Sequence, residues 1–229
     1  MAGLEFFALA GSLVGLGVLL GILSVRGFAR FGETRSRTQL MWASGLACAT
    51  AAMAIEAVVF LGIVSSPILQ AYVFFSAAIV GVLSLGATRI LQRPRVEAGY
   101  TAYILATCGI VGAASFLTPL PNSMVTGGII TGNPPLSLLL LSSLVTGPAT
   151  VILLAASVMS LRRSWRWQTL LMVAGAVILG AGGTLYIASF PVALYYAEFL
   201  GILLLFLGLI SLPTASPAAS PAGHPAGGA

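Results

Sequence analysis

The sequence contains no lysine and no aspartate, and only one histidine, His224, near its end. Without lysine there is no amine to form a Schiff base with a carbonyl cofactor. A single histidine excludes haem, copper or zinc sites built from imidazoles within this chain. Charge of either sign is scarce: 7% of the 229 residues are charged, against 59% hydrophobic, and the mean hydropathy is +1.07. Soluble domains carry about 25% charged residues, and a water-facing surface cannot be built from so few. The composition therefore describes a polytopic integral membrane protein. All ten basic residues are arginine and all five acids are glutamate. The net charge of +5 does not point to nucleic acid, because the arginines cluster in short segments between apolar runs, as topology signals do.

What is present is a series of apolar runs of membrane-spanning length. The expected spans are residues 5–25, 41–64, 68–91, 101–118, 136–161, 169–190 and 191–212. No positive charge precedes the first, and Arg26, Arg30, Arg35 and Arg37 follow it, so it reads as an uncleaved span that enters with its N-terminus outside. Its glycines Gly11, Gly15, Gly17 and Gly21 provide two G-x-x-x-G spacings for close helix approach. Basic clusters occupy alternate loops: Arg26–Arg37, then Arg89, Arg93 and Arg95, then Arg162, Arg163 and Arg166 beside Trp165 and Trp167. That alternation predicts an all-α bundle of seven transmembrane helices, N-terminus outside and C-terminus cytoplasmic. Residues 1–212 form one domain, followed by a Pro/Ala/Gly-rich tail at 213–229 too poor in large apolar residues to fold. The helix count and orientation resemble those of heptahelical receptors and microbial rhodopsins, but the resemblance ends there, since the seventh span has no lysine for retinal.

Two carboxylates lie inside apolar spans, Glu56 in the second and Glu198 in the seventh. A charge at the centre of a span costs roughly 2.5–3.5 kcal/mol on insertion scales, so such groups face the bundle interior and mark function by default. Gly45, Cys48, Ala49 and Ala52 precede Glu56 on one helical face, a small-residue stripe suited to packing. Glu198 shares its face with Tyr195, Gly201 and Gly208. Glu56 is placed about eight residues, about 12 Å, below the outer end of its span, and Glu198 about seven. The two are thus level. Two ionised carboxylates that close repel, so neighbouring second and seventh helices would share a proton or cation between them. Tyr195, Tyr196 or Tyr186 would supply hydroxyls, and Gln70, Tyr72, Ser115 and Thr118 are further polar groups on the outer side. The structural alternative is a pair of protonated glutamates that hold helices together.

Three other features are weighed. Gly147-Pro148 interrupts the fifth span and predicts a kink or hinge, with Ser142, Ser143 and Thr146 just before it. Cys48 and Cys108 are level inside their spans, as inert packing or a thiol relay, with packing favoured by the absence of any C-x-x-C. The uncharged connection 119–135, with Gly127-Gly128, resembles no phosphate-binding loop. The expectation is a small transporter or proton/cation-coupled carrier using Glu56 and Glu198, in a prokaryotic plasma membrane. The alternative is a non-catalytic subunit of a larger membrane complex, or a homo-oligomer. An enzyme is not expected, for want of a nucleophile–base pair, and composition assigns no cofactor.

Overall fold

The computed structural model describes residues 2–88, 91, 93–130, 134–163, 167–187, 197, 200–205 and 207–208. Among the described residues six long helices run up and down: α1 (Ala2–Thr34), α2 (Arg37–Phe60), α3 (Ser66–Thr88), α4 (Pro94–Leu117), α5 (Leu136–Arg163) and α6 (Trp167–Ile187). Five are long and apolar enough to cross a membrane, over Val14–Thr34, α2, α3, α4 and Leu136–Arg162. With this all-α architecture the chain is a membrane protein.

The helix ends are where hydropathy and helicity part. α1 runs through Arg26 and Arg30 to Thr34, beyond the expected end at residue 25; its 33 residues reach about 50 Å. A helix needs its backbone bonded, not its side chains in lipid, so it continues where the apolar run stops. It turns at Arg35, whose φ is 51°, with the Arg35 N–H donating to the Phe31 carbonyl at 2.8 Å. α4 likewise starts at Pro94 rather than residue 101. Proline at the first helical position gives up an N–H that has no intrahelical partner there, and Glu97 in the first turn suits the helix dipole. In the opposite sense, α2 stops at Phe60 rather than residue 64, because Gly62 adopts φ 87° and turns the chain toward α3.

α3 is the axis of the bundle. It packs against α2, α4 and α5, while α1 packs on the far side of α2 and α6 on α5. Glycines let the backbones approach. The Trp42 indole lies against Gly86, and Leu83 against Gly45, which fixes the α2–α3 register. On the other side of α3, Gly81 makes room for Val145 of α5 and Gly112 of α4 receives the Phe74 ring. Helical residues 200–205 return along α6, where Gly175 meets the Gly201 carbonyl and Leu205. Alternation of direction gathers Arg26, Arg30, Arg35, Arg37, Arg93, Arg95 and Arg162 at one end of the bundle. That end is called basic below, and the other neutral.

At the neutral end the connection between α4 and α5 is not a plain loop. A 3-10 turn (Asn122–Met124) leads into a hairpin in which β1 (Val125–Thr126) pairs antiparallel with β2 (Ile129–Ile130). Gly127 and Gly128 make its two-residue turn with φ of 59° and 79°, the primed geometry that matches strand twist. Leu120, Met124 and Ile130 are buried in the same apolar cluster as Val59, Leu69 and Tyr72, so this segment caps the bundle. The Leu120 N–H donates to Ser66 Oγ at 2.9 Å, and Gln70 Nε2 donates to the Thr118 carbonyl at 2.7 Å. Both bonds tie the cap to the first turns of α3. Gly128→Ala puts a side chain into left-handed backbone at a cost of about 1–2 kcal/mol, and its methyl would stand 3.4 Å from the Phe60 carbonyl oxygen. The expected result is faster amide exchange across residues 125–130, with the helices unaffected.

Candidate functional site

α2 buries one stripe along its length: Trp42, Gly45, Ala49, Ala52, Glu56 and Val59. The small residues bring α3 close, and the same face carries the acid, which is 4% exposed between Ala52, Met53 and Val59. Because α2 ends at Phe60, Glu56 lies about one turn below its neutral end, closer to the surface than the sequence placed it.

Register shows what lies level with it. About four turns up α2 from Trp42 and about four turns down α3 from Gly86 lead to Glu56 and Tyr72, so the two lie at one level of the bundle. Tyr72 is itself buried, at 8% exposure. Gln70, two residues earlier, points away to α4, where its amide holds the Thr118 carbonyl at 2.7 Å. Ser115 of α4 is fully buried near that contact, and its hydroxyl has no hydrogen-bond partner among the described residues. The first two turns of α3 thus carry polar groups toward both neighbours. The hairpin covers this end: β2 packs on α2, and Gly128 lies against the Phe60 backbone. By register the acid and the Tyr72 phenol lie at one level of the bundle, about one turn under a cap held by hydrogen bonds.

Of the residues the sequence singled out, Glu56, Gln70, Tyr72 and Ser115 come together at one end. Glu198 and Tyr195 lie outside the described residues, as do Tyr196 and the side chain of Tyr186. Cys48 and Cys108 are free thiols, both half-buried, on helices that each pack against α3; Cys108 Sγ lies at the side of the Gly81 notch that Val145 fills.

The Gly147-Pro148 interruption resolves in detail. α5 continues through it, and Pro148 leaves the Leu144 carbonyl without its intrahelical donor. Tyr103 of α4 supplies the missing bond, its hydroxyl donating to that carbonyl at 2.7 Å. Ser142 and Ser143 spend their hydroxyls on the Leu139 and Leu140 carbonyls at 2.9 and 2.7 Å, and Thr146 on Ser142 at 3.2 Å. The carbonyl that Pro148 frees is therefore satisfied by protein. Tyr103 was not singled out from the sequence, although the carbonyl four residues before a mid-span proline announces the need for a donor. Tyr103→Phe is expected to cost about 0.5–1.5 kcal/mol, read from unfolding in mixed detergent. In a Pro148→Ala background, where the helix regains its own N–H, that cost should vanish, and equal costs in both backgrounds would refute the pairing.

Compared with protein-family models, with curated proteins and with solved structures, the chain matches none.

Proposed function

We propose that the chain is a seven-span, multi-pass protein of a prokaryotic plasma membrane that works as a small proton- or cation-coupled carrier, with Glu56 as the coupling group. The observation that carries this reading is the near-complete burial of Glu56, about one turn beneath a hairpin cap and level with the buried Tyr72. Intramembrane acids are costly and default to function, and one held in a packed interface suits reversible charge binding. By the positive-inside rule the basic end is cytoplasmic, which puts the N-terminus, the cap and Glu56 on the outer side and the C-terminal tail inside. Glu198 and Tyr195 would complete the site from the seventh span. The test is ion flux into liposomes that hold the purified chain and a trapped pH dye, under a potassium diffusion potential, with and without sodium. Flux above that of empty liposomes is expected; its absence under every gradient counts against a carrier acting alone.

A second reading, a non-catalytic subunit of a larger membrane complex or a homo-oligomer, is favoured by α1. Gly17 and Gly21 pack on Met53 and Thr50 of α2, whereas a methyl on Gly11 or Gly15 would meet nothing within 4 Å among the described residues. Among those residues one G-x-x-x-G spacing is thus used inside the protein and one lies open. Co-purification of other chains from the host membrane supports this reading, and a monodisperse monomer opposes it.

A further inference from the structure

All seven arginines gathered at the basic end are exposed, and Glu33 and Glu97 are the two acids described there. The positive-inside rule asks only that charge lie at one end of the spans. Two of these arginines, Arg26 and Arg30, have in addition a fixed place, on the part of α1 that leaves its apolar run. Packing decides how that helix is turned. The Ser24 hydroxyl donates to the Ala43 carbonyl at 3.1 Å, and a methyl on Gly27 would stand 2.9 Å from Ala43 Cβ. Leu20, one turn before Ser24, is fully buried. With that side seated on α2, Leu19, Ile22, Arg26 and Arg30, at spacings of three and four, share the side turned away from it.

This outer side changes character along its length. Leu19 is 36% and Ile22 48% exposed, so the apolar part ends as bare carbon directly above two exposed guanidinium groups. Helical shape holds through them to Thr34, whose hydroxyl donates to the Arg30 carbonyl at 2.8 Å or to Gln39 Oε1 of α2 at 2.6 Å. The two arginines therefore keep their one-turn spacing. Like charges four residues apart on a helix repel, and an anion between them turns the repulsion into attraction. Glu33, also exposed, follows three residues beyond Arg30 on the same side. It competes for Arg30 and leaves Arg26 as the stronger anchor.

We infer that this face of α1 binds an anionic phospholipid, its phosphodiester between Arg26 and Arg30 and an acyl chain along Ile22 and Leu19. The planar fork of an arginine can bond two phosphate oxygens at once, so both groups are suited to that headgroup. A zwitterionic headgroup brings its own cation to the same two arginines and is disfavoured by it. A water-soluble phosphate ester would leave Leu19 and Ile22 without a role. The site lies at the opposite end of the bundle from Glu56, so either reading can fail alone.

The test is native mass spectrometry of the full chain from mixed micelles with equal phosphatidylglycerol, phosphatidylethanolamine and phosphatidylcholine. Phosphatidylglycerol should be retained about tenfold over either competitor. Arg26→Gln should cut that preference about fivefold, the worth of one arginine near a lipid surface, and Arg30→Gln should cut it less. Arg26→Lys should keep most of it, and Glu33→Gln should raise it. The control is Arg95→Gln at the start of α4, a helix that packs on α3 and α5 whereas α1 packs on α2. It removes the same charge from the same end and should change the preference less than about twofold. Unchanged melting of each variant excludes misfolding as the cause. An equal fall in Arg95→Gln would show that total charge alone selects the lipid and would overturn the inference, as would a wild type without preference. So would displacement of the lipid by soluble glycerophosphoglycerol as readily as by phosphatidylglycerol itself.

Discussion

Glu56→Gln is expected to reduce ion flux about 100-fold or more, to the level of empty liposomes, while the protein stays folded. The substitution keeps the length, shape and hydrogen-bonding reach of the side chain in a position that is 4% exposed. It removes only the capacity to take up and release a charge. Glutamine therefore isolates chemistry from packing, which alanine would not: Glu56→Ala opens a void between Ala52, Met53 and Val59 on the α2–α3 seam. Glu56→Asp keeps the acid but draws it back by one methylene, so partial flux is expected. Tyr72→Phe should fall between wild type and Glu56→Gln, because it deletes the phenol at that level and leaves the acid. Two outcomes are decisive. Full flux in Glu56→Gln would reduce Glu56 to a packing residue, and the subunit reading would lead. Lost flux together with a lowered melting temperature would show that the acid holds helices together.

The burial of Glu56 was legible because small residues at Gly45, Ala49 and Ala52 write out a stripe that only a close neighbour can cover. What lies level with it was not legible; Tyr195, which the sequence put forward, lies outside the described residues. Spacing along a helix says nothing of which helix lies alongside. That is set by contacts such as Trp42 on Gly86, which pair residues far apart in the chain. The apolar runs marked α1 to α6 but their ends poorly, and most of the seventh run lies outside the described residues. Hydropathy reports where lipid is, whereas α1 and α4 extend into the basic end on backbone hydrogen bonds and a favourable first-turn proline. The cap shows a third case. Gly127-Gly128 between Val-Thr and Ile-Ile is a hairpin signal, but strands of two residues give no alternation to read. The Tyr103 bond follows from a rule that can be applied forward: every proline inside a span needs a donor found elsewhere for the carbonyl it orphans.

The second large effect is expected at Gly86. A methyl group there would come 2.5 Å from Trp42 Cδ1, on an indole that is 3% exposed and whose Nε1 has no hydrogen-bond partner among the described residues. The ring is thus held by packing, with its pyrrole edge against Gly86 of α3. It cannot swing aside, because Leu46, Leu83 and Ala87 around it are also buried. Gly86→Ala must then push α2 and α3 apart, at a cost of about 2–3 kcal/mol by the measure of overpacked interiors. One turn away Leu83 already fills the space over Gly45, so the strain cannot be taken up locally. The contrast is Gly11→Ala, where a methyl would meet nothing within 4 Å among the described residues. Helix propensity alone acts there, and the change should be neutral or stabilising by up to about 1 kcal/mol. Trp42→Phe removes the pyrrole edge that the methyl strikes, so Gly86→Ala should cost less in that background, a coupling that detergent unfolding can measure. The same experiment bears on the site. If Gly86→Ala costs no more than Gly11→Ala, the α2–α3 register is wrong, and Tyr72 no longer lies level with Glu56. If it costs as expected and also slows ion flux, the glycine contacts at the basic end and the acid at the neutral end belong to one rigid seam.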